Sequence, residues 1–209
     1  MGDGSPCATS ATTMSKAQGG SGHPKQFYVA VGTLEMKLPT LVDLLRALSA
    51  QDPSLAVLIV CNSRDTLDEL VRSLAELERT IDYLHADLCN DARRDALGRF
   101  ASSESNVLVC TDVCLPREAS GEAPTAAQLL VNYDTPGRRD QHGRRVACLA
   151  GGTALSSSSG SGSGGGGLVI NFVAAGEVSS LKSLETMAGT RIEELPLNLS
   201  ECFEGLRAA

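Results

Sequence analysis

The sequence predicts an α/β fold, a doubly wound and mostly parallel sheet with helices on both faces. Three observations predict it. Short apolar runs alternate along the chain with stretches whose leucines recur at three and four residues, the pattern of βαβ units. The run AVLIVC at Ala56 to Cys61 is apolar throughout instead of alternating, as a parallel strand covered on both faces should be. The 209 residues, 42% of them hydrophobic, are enough to bury one full core.

Each element follows in order. Residues 1–24 are rich in Gly, Ser, Thr and Ala with almost no large apolar side chain, and are expected to form a disordered tail. Gln26 to Val31 is the first strand. Leu38, Leu41, Leu44, Leu45 and Leu48 then stripe a helix, with Pro39 tolerated in its first turn. Ala56 to Cys61 is the second strand, and Asn62 or Ser63 caps a helix striped by Leu67, Leu70, Leu74 and Leu77. Ile81 to Leu84 is a short strand, after which Asn90 caps a helix carrying Ala92, Ala96, Leu97 and Phe100. Asn106 to Cys110 and Leu129 to Tyr133 are further strands. The tract GGTALSSSSGSGSGGGG, residues 151–167, reads as a flexible linker that interrupts the domain and runs into a strand at Leu168 to Val173. A helix near Ser179 to Met187 and a short strand at Ile192 to Leu195 complete a domain spanning 25–203, and 204–209 form a tail. Right-handed crossovers join such strands, and ligands sit at their carboxyl ends.

Composition narrows the function. A formal net charge of −7 repels a phosphate backbone, so nucleic-acid binding must come from a local basic patch. Aromatics are 3% and Trp is absent, which leaves no broad stacking platform for single-stranded bases. The seven cysteines hold no C-x-x-C pair; Cys61 and Cys110 end apolar runs, where cysteine serves as a small core hydrophobe, and a reducing compartment, cytoplasm or nucleus, is expected. No stretch approaches the ~20 apolar residues of a membrane span. The four lysines, Lys16, Lys25, Lys37 and Lys182, follow no Gly-rich turn, so these residues contain no P-loop. Gly164 to Gly167 lead into a strand and not a helix, and Asp68-Glu69-Leu70 lie on the solvated face of a helix. His85 and His142 lack a visible nucleophile or carboxylate partner, and structural roles are expected for both.

Eight blocks in order carry a resemblance: QFYVAVG at Gln26, VLIVCNSR at Val57, LHAD at Leu84, NDARRDALGRF at Asn90, VLVCTDV at Val107, LLVNYDTP at Leu129, LVINFV at Leu168 and IEELPLN at Ile192. Together they resemble the second, RecA-like domain of DEAD-box RNA helicases, in the translation initiation factor four-A branch. That resemblance implies one wall of an RNA groove and half of an ATP site. It assigns RNA phosphate contacts to Asn62, Ser63 and Arg64, the aspartate of a Gly-Asp pair to Asp87 behind Ala86, and the arginine of a Q-x-x-R element to Arg93, with Asn90 in place of Gln. Thr111 and Asp112 match the motif in which a hydroxyl and backbone N–H groups hold a phosphate. The competing reading makes Asn62 and Ser63 helix caps and Arg93 a solvated helix residue.

Two departures follow. After Val113 the chain reads CLPREASGEAP, altered and longer than the family's stretch that meets the ATP ribose. In the family's HRxGRxGR helix Arg145 keeps the first arginine as a nucleotide-site remnant, but Cys148 and Gly151 stand where two phosphate-facing arginines belong. An arginine finger is worth about 10³ to 10⁵ in rate. The expectation is therefore an RNA-binding or helicase-partner module without catalytic residues or ATPase activity of its own. It needs no cofactor, with ATP and Mg only if a first helicase domain is supplied in trans, and its partners are RNA, bound weakly, or a helicase scaffold protein. The basic cluster Arg138, Arg139, His142, Arg144 and Arg145 is a second candidate surface for RNA or an acidic partner. A half-enzyme completed in trans and a degenerate helicase copy are the alternatives.

Overall fold

In the computed structural model, residues 24–115, 127–149 and 167–203 are described. The expected tails except Pro24, the linker except Gly167 and most of the CLPREASGEAP stretch lie outside them. The elements are β1 (Lys25–Val31), α1 (Lys37–Gln51), β2 (Val57–Cys61), α2 (Arg64–Leu74), β3 (Ile81–Leu84), α3 (Asn90–Ala101), β4 (Val107–Thr111), β5 (Leu129–Asn132), α4 (Arg139–Ala147), β6 (Leu168–Ala174), α5 (Val178–Ala188), β7 (Glu193–Glu194) and α6 (Ser200–Phe203).

The strands form one seven-stranded sheet in the order β3-β4-β2-β5-β6-β1-β7, with every neighbouring pair parallel. This is the doubly wound arrangement the apolar runs predicted. Every residue of β2, β5 and β6 is buried, so side chains alternate between two cores and not between core and water. Val57, Ile59, Cys61, Val107, Val109 and Val131 meet α1 and α2 through Leu41, Leu45, Leu67 and Leu70. Leu58, Val60, Leu108, Cys110 and Leu130 meet Leu97 and Phe100 of α3 and Leu149 on the other face. Each such aliphatic side chain contributes about 1.5–3 kcal/mol when fully buried, which is why these runs carry the fold.

Several boundaries differ from the expectation. Asn90 does not cap α3; it is the first helical residue, and Cys89 takes the N-cap position without a side-chain bond. Instead α3 is held by packing of Ala96, Leu97 and Phe100 and by Arg99, whose Nε donates to Asp82 Oδ2 on β3 at 3.1 Å. Of the two candidates for the α2 cap, Ser63 does it, its Oγ accepting from Thr66 N at 3.1 Å. Leu77 packs on the core from beyond the end of α2. At the end of α5 the chain turns through Gly189 with φ of 69°, left-handed backbone that a side chain disfavours. Strand β7 is two residues long.

Candidate functional site

Parallel pairing sets Cys61 opposite Thr111 and Val60 opposite Asn132, so the turns that follow β2, β4 and β5 emerge side by side at the carboxyl edge of the sheet. Arg145, from the last turn of α4, reaches under all three and is fully buried. A guanidinium has five N–H donors. All five are used: Nε to Asp112 Oδ1 at 2.8 Å, Nη2 to Asp112 Oδ2 at 2.6 Å and to Asn62 Oδ1 at 3.0 Å, Nη1 to Asn132 Oδ1 at 2.9 Å and to the Asp134 carbonyl at 2.6 Å. Paired two-pronged with Asp112, this is the geometry in which a buried charge pair is sustained.

The polar frame continues in both directions. Asn132 Nδ2 donates to Asn171 Oδ1 at 2.7 Å, and Asn171 Nδ2 to the Phe27 carbonyl at 3.0 Å, all in the buried centre of the sheet. Asn132 and Asn171 are register partners on β5 and β6, which brings the two amides together. On the other side, Asp134 Oδ2 accepts from the Asn62 backbone N–H at 2.9 Å. Lys37, buried at the start of α1, sets its Nζ 2.8 Å from Glu177 Oε2, 3.8 Å from Asp134 Oδ1 and 5.8 Å from the centre of the Tyr133 ring. Glu177 Oε2 in turn accepts from Ala174 N at 3.0 Å. Two buried cations thus tie together the turns after five strands.

Beside this frame lies an exposed flank. Arg64 Nε donates to Asp68 Oδ1 at 2.8 Å and its Nη1 to Asp87 Oδ2 at 3.2 Å, with about two-fifths of the Arg64 side chain exposed. Asp87 N donates to His85 Nδ1 at 3.2 Å, and the His85 ring stacks on Tyr83 with centroids 5.7 Å apart. Exposed pairs of this kind contribute about 0–1 kcal/mol, so Arg64 can exchange its carboxylates for another anion at little cost. Arg93 Nη2 donates to the Cys114 carbonyl at 3.0 Å, joining α3 to the turn after β4.

The electrostatics follow burial. The Cys61 thiol, at the floor of the frame, is pushed up to about 12 by burial, with Asp134 adding. Burial also pushes Tyr133 up to about 12. His142 is held below its usual value by burial, then by Arg145 and Arg139, and pairs with Gln26 Nε2 at 3.3 Å. It joins α4 to β1.

The residues singled out in the sequence therefore divide. Asn62, Asp112 and Arg145 share the buried frame; Ser63 caps α2; Arg64 and Asp87 form the exposed flank; Arg93 bridges to Cys114; Thr111, half-buried, ends β4. Arg145, expected as a nucleotide-site remnant, has its donors committed inside the protein. Cys148 is buried in the second core, its Sγ donating to the Arg144 carbonyl at 3.3 Å, and Gly151 lies outside the described residues. In the basic cluster Arg138 and Arg144 face Asp140, and Arg139 donates to the Thr186 carbonyl. The sequence reading gave no role to Lys37, Asn132, Asp134, Asn171 or Glu177. Signals existed: a lysine opening a helix opposes the macrodipole, and an asparagine inside an all-apolar strand demands a buried partner.

Among the described residues no helix is long and apolar enough to cross a membrane, and no three His, Cys, Asp or Glu side chains gather as metal ligands would. Comparison with known proteins gives the following likenesses. The family described as helicase conserved C-terminal domain matches residues 36–147. The ATP-dependent RNA helicase eIF4A of Schizosaccharomyces pombe is 33% identical over 178 residues, 85% of this chain and 40% of that protein. The chain spans about 40% of the length of the curated relatives it matches. Among solved structures, the E. coli DEAD-box protein SrmB bound to regulator of ribonuclease activity A (RraA) superposes with a TM-score of 0.65 at 23% identity, over 86% of this chain and 93% of that one. S. cerevisiae Dbp5 bound to RNA and ADP BeF3 gives a TM-score of 0.68 at 20% identity, over 88% of this chain and 45% of that one. At these identities the structural likenesses establish the fold, a RecA-like sheet.

Proposed function

Because the chain belongs to the helicase conserved C-terminal domain family, we propose that it is an RNA-binding and partner-binding module without ATPase activity of its own. One observation carries this reading. The turn from Asn62 to Arg64 is built and held, its backbone by Asp134, its asparagine side chain by Arg145 and its helix start by the Ser63 cap, while Arg64 stays at the surface. Such a turn suits phosphate contacts: a helix start, backbone N–H groups and a guanidinium in one place. The net charge of −7 keeps the binding weak. Cys148 supports the absence of hydrolysis, since a buried thiol stands where the resemblance puts a phosphate-facing arginine.

Protein partners are the other half of the proposal. SrmB, whose fold this chain shares, is bound to RraA in its structure, and a scaffold of comparable kind would occupy an exposed face here. Cys61, Cys89, Cys110 and Cys114 are free thiols, which suits the cytoplasm or nucleus.

The test has two arms. Weak, salt-sensitive binding to single-stranded RNA is expected, together with no RNA-stimulated phosphate release from Mg-ATP. Stimulated hydrolysis by the homogeneous chain would end the claim of inactivity, and lack of any RNA affinity at low salt would end the claim of binding. The intact frame of Asn62, Asp112 and Arg145 at the carboxyl edge of the sheet favours a second reading, a half-enzyme completed in trans. Adding the first domain of an eIF4A relative discriminates: RNA-stimulated hydrolysis supports it, and no stimulation removes it.

A further inference from the structure

We propose that Arg145 is a positioning residue for RNA, turning the Asn62 amide so that its nitrogen is presented as a fixed phosphate donor beside Arg64; this rests on the RNA-binding reading above. Two facts about hydrogen-bond chemistry carry it. Arginine has donors and no acceptor. The Asn62 atom 3.0 Å from Arg145 Nη2 must therefore be the oxygen, and Nδ2, at the opposite end of the amide, belongs to an exposed residue. The Asn62 backbone N–H is already committed to Asp134 at 2.9 Å, so main chain and side chain are both fixed and only the two Nδ2 hydrogens remain to meet a ligand.

The same guanidinium sets the sense of the whole amide row. Because Nη1 donates to Asn132 Oδ1, Asn132 must donate onward to Asn171, and Asn171 to the Phe27 carbonyl. One buried cation thus polarises the amides along one sense, and Asn62 is the member of this set that reaches the surface. A phosphate accepts and cannot donate, so a free asparagine must first turn its nitrogen toward it; one whose oxygen is held by a cation already presents that nitrogen. Two neighbouring donors, Asn62 Nδ2 and the Arg64 guanidinium, then match two oxygens of a phosphodiester, with no cost of turning the amide on binding. Arg145 itself touches no RNA in this scheme, since its five donors remain inside.

The test uses the whole chain, a fluorescent single-stranded oligouridylate read by anisotropy at low salt, and a thermal melt of each protein. Arg64→Ala tests the contact alone. Asn62→Ala removes the donor without adding charge. Asn62→Asp keeps an oxygen for Arg145 but replaces the outward donor with an acceptor. Arg145→Lys keeps net charge but loses the two-pronged geometry. Both Asn62 variants and Arg145→Lys are expected to weaken RNA binding about ten-fold, equivalent to about 1.4 kcal/mol, while Asn62→Asp melts no lower than the unsubstituted protein. Wild-type affinity in a folded Arg145→Lys protein, or in Asn62→Asp, overturns the positioning role even if Arg64→Ala weakens binding. If Arg145→Lys fails to fold, the two Asn62 variants decide. Should the unsubstituted chain bind no RNA, the RNA reading falls and this inference with it.

Discussion

Replacing Arg145 by Met tests the energetics of the frame directly. The side chain is fully buried and holds Asp112, Asn62, Asn132 and the Asp134 carbonyl. Met fills much of the volume but donates nothing, so Asp112, itself buried, loses its counter-charge. Breaking a buried pair by removing one partner costs about 3–5 kcal/mol, because the remaining charge is left without compensation. With a shift of about 2–4 °C per kcal/mol for a domain of 150–250 residues, the melting midpoint should fall by about 6–20 °C. Changing Asp112 to Leu in the same protein removes the orphaned charge, and most of that loss should return. Calorimetry or urea unfolding of the single and double variants reads both numbers. Arg64→Ala, whose ion pairs are exposed, sets the scale at about 1 kcal/mol or less. A loss under about 1 kcal/mol for Arg145→Met, or no recovery with Asp112→Leu, would refute the buried-pair reasoning.

Three further outcomes follow from the same structure. Burial and the neighbouring arginines hold His142 below its ordinary value, so the unfolded chain binds its proton at higher pH than the folded one does; stability should be complete above the unfolded value and decline as pH falls from about 6.5. His142→Gln should flatten that decline in pH-dependent melts, and an unchanged acid slope would exclude His142 as its source. Cys148→Arg should destabilise the fold instead of restoring hydrolysis, because it drives a long charged side chain into the core around Cys110 and Leu149; a well-folded variant with new RNA-stimulated ATPase activity would contradict this. In alkylation followed by peptide mapping, exposed Cys89 should react in the native protein, whereas Cys61, pushed up to about 12, and buried Cys110 should react only after unfolding. Rapid native labelling of Cys61 would contradict its place under the frame.

How much was legible in the sequence depended on whether one residue or several encoded the feature. The run AVLIVC announced a strand buried on both faces because every position was apolar, and the sheet bears this out in β2. The α1 and α2 stripes were equally redundant, and Leu41, Leu45, Leu67 and Leu70 are all in the core. Single-residue features fared worse. Asn90 has the chemistry of a cap but lies one position inside α3, where its backbone is already helical. Lys37 had no role in the sequence reading, and its burial depends on Asp134 and Glu177, which are far away in sequence and meet it through the β5–β6–β1 order. Arg145 was legible as a motif residue, but the partners that use all its donors come from three segments, the ends of β2, β4 and β5, that only the sheet register brings together.

The most direct measurement is ¹H–¹⁵N NMR of the whole chain, titrated with a short single-stranded RNA and recorded so that arginine Nε–H and asparagine Nδ2 signals are resolved. The Asn62 side-chain amide and the backbone of Ser63, Arg64 and Asp87 should shift, while the Arg145 Nε–H, bonded to Asp112 Oδ1 at 2.8 Å, stays slow to exchange with or without RNA. Rapid exchange of that proton in the free protein, or RNA-induced shifts confined to α5 and β7, would contradict the account.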